Sequence, residues 1–133
     1  GKTMYWFAVD DTHQHFNEHR HIDICAAWII AKMPELTEEN VMHAIKSGHF
    51  YSSIGPAIND ISINDGKIKV STSDVKYINF IANAHSGESF TAKSSDFITE
   101  AEYKIRGNER YIRVECIDQY GRGAWSNPIL TNG

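Results

Sequence analysis

Apolar and polar positions change period along the chain. Residues 5–9, Tyr-Trp-Phe-Ala-Val, are apolar without alternation, which suits a strand covered on both faces, as in a parallel sheet flanked by helices. Two aspartates end that run, and Gln14 to Asp23 is polar and histidine-rich, as a loop would be. Ile24 to Lys32 is apolar again and reads as a second strand, with a short helix as the other possibility. A helix is predicted at 38–47. Thr37 can cap it, Glu38 and Glu39 complement its positive end, Leu36 can staple to Val41, and Gly48 supplies the stop. Val41, Ala44 and Ile45 form its apolar stripe.

After Gly55-Pro56 the period becomes two. Ile61 and Ile63, then Ile68 and Val70, flank Asn64-Asp65-Gly66, a hairpin turn signal because Asp-Gly tolerates positive φ. Alternation recurs at Ile78, Phe80 and Ala82, at Ala101, Tyr103 and Ile105, and at Ile112, Val114 and Cys116. About seven strands are expected between Ile58 and Thr131. The predicted class is α+β: mainly an antiparallel β-sandwich, immunoglobulin-like, over residues 56–133, preceded over 2–55 by a short strand and helix.

Composition narrows the functions. The chain has 133 residues, enough for a sizeable core, and carries 13 basic against 17 acidic residues, a formal charge of −4. With no basic stripe, a nucleic-acid partner is not expected. No apolar run approaches the roughly 20 residues that span a bilayer, so no membrane partner is expected either. Cys25 and Cys116 are far apart and outside any C-x-x-C spacing, which favours free thiols over a disulfide framework.

Candidate chemistry concentrates in Asp10-Asp11-Thr12-His13-Gln14-His15, within a segment holding four of the seven histidines when His19 and His21 are included. If the strand continued, Asp11, His13 and His15 would share one face, about 6–7 Å apart at successive positions. A helical segment would instead bring His15 to His19. An Asp/His set suits zinc, manganese or iron, and solvated loop histidines are the plain alternative. His43 reads as a surface residue, and His49 and His85, in loop-like sequence, read as hydrogen-bonded or solvent-exposed and not as ligands. Ser86-Gly87 reads as a turn and not a nucleophile elbow, which argues against serine hydrolase chemistry.

The order of motifs resembles the C-terminal part of bacterial proteins of the polymerase and histidinol phosphatase (PHP) superfamily of metal-dependent phosphoesterases. The residues that carry it are Ala8 to His13, Trp28 to Lys32, Glu35 to Glu39, Gly48-His-Phe-Tyr-Ser-Ser-Ile-Gly-Pro56 and Ala124-Trp-Ser-Asn-Pro-Ile129. The resemblance implies that 2–55 is the end of a distorted β/α barrel, and that Asp11 and His13 are ligands of a divalent metal, zinc, manganese or iron, in the parent protein. Asp10, His15 and Asp23 match no ligand position. The earlier His-x-His and the remaining ligands of that family have no counterpart in this sequence, so the missing N-terminal barrel is the implied partner. The chain alone is then expected to be inactive, because two ligands bind a divalent cation weakly. Apolar residues in 5–9 and 24–31 would lack their cover, which predicts self-association as a homo-oligomer through this region. A different class of function is a non-catalytic sandwich that binds a carbohydrate, a peptide or a partner domain, with Trp125, Tyr120 and Tyr51 as its aromatic surface.

Overall fold

A computed structural model describes residues 3–12, 24–83, 86–94 and 96–131. Two antiparallel sheets face each other as a β-sandwich. The larger begins with β1 (Trp28–Ala31) and, after helix α1 (Glu38–Ser47), β2 (Phe50–Ser53). Its other strands are β5 (Tyr77–Ala82), β6 (Gly87–Thr91), β8 (Tyr111–Ile117) and β9 (Gly123–Ser126), in the order β1-β2-β9-β8-β5-β6. β10 (Ile129–Leu130) pairs with β8 beyond β9. The smaller sheet runs β3 (Ile58–Asn64), β4 (Lys67–Val75), β7 (Ile98–Lys104).

The helix forms as its sequence signals require. Thr37 accepts a hydrogen bond from the Asn40 N–H, and Gly48 takes the left-handed conformation (φ 72°) that closes the C-terminus. Leu36 does not staple; it is 84% exposed. The Thr37 N–H and the Asn40 side-chain amide both donate to the Glu35 carbonyl, and this local turn accompanies the outward placement of Leu36. The β3–β4 hairpin turns on Asp65 and Gly66, both at positive φ (49° and 70°), as a primed two-residue turn demands. Eight strands, not seven, occupy the described part of 58–131. β6, β9 and β10 are short and lack the alternation of apolar residues seen in β4, β5 and β8.

Alternate residues of the two sheets meet in one core: Ile68 and Val70 of β4, Ala101 and Tyr103 of β7, Ile78 and Phe80 of β5, and Ile112, Val114 and Cys116 of β8. Phe80 stacks on Tyr103 with ring centres 5.4 Å apart. At one end the core admits a charge. Glu109 is fully buried, accepting 2.6 Å from the Tyr103 hydroxyl, 3.0 Å from the Arg106 N–H and 2.9 Å from the Gly107 N–H. Burial alone would raise its pKa, but these donors outweigh it and hold the carboxyl down at about 2. Burial, then the bond to Glu109, pushes the Tyr103 hydroxyl up to about 12, so it stays a neutral donor. Both cysteines are free: Cys25 is exposed, and burial pushes the Cys116 thiol up to about 12.

The change of period at Gly55-Pro56 is the corner where the chain leaves the larger sheet for the smaller. Hydrogen bonding of one sheet spans that point, since β2 pairs with β9 at Tyr51–Ser126, Ser52–Trp125 and Ser53–Ala124.

Residues 5–9 require a correction: they are extended but belong to no sheet. The reason is visible in their partners. The Trp6 N–H donates to Asn127 Oδ1 (3.2 Å) and the Ala8 N–H to Ser52 Oγ (3.0 Å), while Ser52 Oγ donates back to the Trp6 carbonyl (2.7 Å). Side chains of the larger sheet thus take the place of a neighbouring strand. The segment lies as a strap on the sheet's outer face, with Tyr5 and Phe7 against Phe50 (ring centres 6.2 and 4.6 Å).

Candidate functional site

The strap leads into the two aspartates, and they differ in what they do. Asp10 closes a clamp: its Oδ1 accepts from the Ala27 N–H and its Oδ2 from the Cys25 N–H, each at 2.7 Å. Those bonds, that to Ala27 first, hold its carboxyl below the usual range, so it stays ionised. The clamp ties the end of the strap to the turn entering β1, where Cys25 sits at φ 60°. A carboxylate with both oxygens on backbone amides acts here as a structural tie.

Asp11 is exposed and left-handed (φ 49°), so the extended line breaks there. His13, the second ligand expected from the motif, lies outside the described residues, as do His15, His19, His21 and Asp23. Among the described residues no group of three His, Cys, Asp or Glu side chains could hold a metal. His85 is likewise outside them, while His43 and His49 are both exposed, as expected.

Sequence reasoning missed the residues that position the strap. Ser52 belongs to Tyr-Ser-Ser-Ile-Gly-Pro and Asn127 to Trp-Ser-Asn-Pro, and neither looked functional. Asn127 Nδ2 donates to the carbonyls of Gly48 (3.1 Å) and Phe50 (3.0 Å) while its Oδ1 takes the Trp6 N–H. One amide therefore joins strap, helix end and β2. Gly48 is needed twice, for its positive φ and because a Cβ there would lie 2.4 Å from the Tyr5 ring. The available signal was polar, short side chains inside otherwise apolar sheet sequence, whose partners lie 46 and 121 residues away.

The three aromatic residues considered for a binding surface are not brought together. Tyr51 packs on the core from the inner side of β2, with burial raising its hydroxyl pKa. Trp125 lies on the outer face over Gly123, its indole N–H donating 2.7 Å to Glu115, whose other oxygen accepts from Asn79 (3.0 Å). Tyr120 is 73% exposed in the β8–β9 turn beneath the Arg122 guanidinium. Comparison with protein-family models, with curated proteins and with solved structures finds no match to this chain.

Proposed function

We propose that this chain supplies Asp11 and His13 to the metal centre of a phosphoesterase of the PHP superfamily, the other ligands coming from a separate body of protein that docks on the strap. The sandwich is then an accessory module that presents the strap and its terminal aspartate. One observation carries the docking part of this reading. Met4, Trp6, Phe7 and Val9 are 72, 64, 49 and 70% exposed, on a segment already extended and held at a fixed place. Among the described residues the backbone N–H groups of Tyr5, Phe7 and Val9 have no partner, because only the alternate amides face the sheet. An apolar extended segment with one open backbone edge is the form of a strand awaiting a neighbour.

Two ligands bind a divalent ion weakly, and water activation needs the full set, so the chain alone is expected to leave a generic phosphoester intact. Manganese ion titrated into the labelled chain should broaden amide signals centred on Asp11, with the effect lost in both D11N and H13N. Uniform broadening, or broadening unchanged in those variants, would overturn the ligand assignment.

A further inference from the structure

Away from the strap's aspartates, two histidines meet at the end of α1. His43 stands on the last turns of the helix, and His49 follows directly after the Gly48 cap; their ring centres are 5.8 Å apart at an interplanar angle of 68°. The geometry points to a second, independent cation site here: His43 and His49 form a two-imidazole site for a borderline divalent ion of the zinc type.

Three features support it. The separation suits shared coordination, since two imidazoles on one zinc, at N–Zn distances of about 2.0–2.1 Å, hold their ring centres roughly 5–6 Å apart. Both backbones are fixed. His43 is helical, and His49 is pinned on both sides, its N–H donating to the Ala44 carbonyl (2.8 Å) and its carbonyl accepting from the Lys32 N–H (2.8 Å). Little chain entropy remains to be lost on binding, which favours chelation over capture by one imidazole at a time. Both side chains are also exposed, so water can complete the coordination shell, and both residues lie at the C-terminal end of the helix, whose partial negative charge favours a cation. Imidazole donors favour zinc over magnesium, which prefers oxygen ligands.

This site does not depend on the proposed function, because it uses neither Asp11 nor His13. The test is a zinc titration of the full chain read on individual imidazole 15N resonances, so that zinc taken by other histidines is seen separately. His43 and His49 should follow one isotherm, unchanged in D11N and absent with magnesium at the same concentration. In H43Q the zinc response of His49 should weaken at least tenfold, and H49Q should do the same to His43. Thermal melts of both exposed-site variants should match the parent. Two unrelated isotherms, or a His49 response in H43Q within twofold of the parent, would mean that the rings merely touch and would overturn the proposal.

Discussion

The sandwich interior and the strap are made of the same kinds of side chain, yet they meet water in opposite ways. Ile68, Val70, Ile78 and Val114 are completely buried, whereas Met4, Trp6 and Val9 are more than three-fifths exposed. In the sandwich, period-two alternation gives each strand one apolar face, and the two sheets satisfy each other. The strap is apolar on both sides, and a single sheet face can cover only one of them. Tyr5 and Phe7 find Phe50; Met4, Trp6 and Val9 find mostly solvent. Continuous apolarity here marks a segment whose side chains are only partly covered among the described residues.

The contrast is sharpest where each region is most easily broken. The largest expected effect lies in the sandwich, at Glu109. E109A leaves the buried Tyr103 hydroxyl, and the Arg106 and Gly107 amides beside it, without their charged acceptor and should cost about 3–5 kcal/mol, read by urea unfolding. The same residue sets an acid limit. Its folded pKa of about 2 lies below the ordinary 4.5, so its contribution is complete above 4.5 and is lost as the pH falls through that value toward 2. E109Q should flatten this part of the stability profile. An unchanged acid limb would show that the buried charge is not its source.

The next effect crosses between the regions. Phe50 is a large buried side chain against which the strap's Tyr5 and Phe7 pack, so F50A should cost about 3 kcal/mol and raise amide exchange across 3–12. Replacing Val9 by Ser should leave the stability of the chain within about 0.5 kcal/mol, since that side chain buries little here. If V9S proved as costly as F50A, the strap would be ordinary core and the docking reading would fail.

Legibility in the sequence follows the range of the interactions. The α1 caps and the Asp65-Gly66 turn were readable because each is decided by residues within about four positions. The core strands were readable from alternation alone. The strap was misread as a sheet strand because apolarity reports burial partners and not hydrogen-bond partners, and its amides bond to Ser52 and Asn127, distant side chains with no local signature. Glu109 was hidden for a related reason. Arg106-Gly107-Asn108 announces a turn, but not that the following carboxylate folds inward to take the turn's amides. At the candidate site, Asp11 and His13 were singled out by motif resemblance, while the clamp role of Asp10 emerged only once Cys25 and Ala27 stood beside it.

The smallest expected effect tests whether the strap is positioned or merely adherent. Asp10 is accessible to water, so weakening its two bonds should act locally: D10N, which keeps only one acceptor oxygen, should speed amide exchange at Cys25 and Ala27 and leave the global unfolding midpoint nearly unchanged. Its carboxyl pKa is held below the ordinary 3.8, so the clamp's contribution is complete above that value and fades as acid protonates the folded form. Protection of those two amides should therefore fall at low pH in the parent, whereas in D10N, which keeps one oxygen able to accept, it should be lower and independent of pH. If D10N also abolished manganese broadening at Asp11, the clamp would be what holds the neighbouring carboxylate in place. If the broadening survived, the Asp10 clamp would not be what holds Asp11 in place.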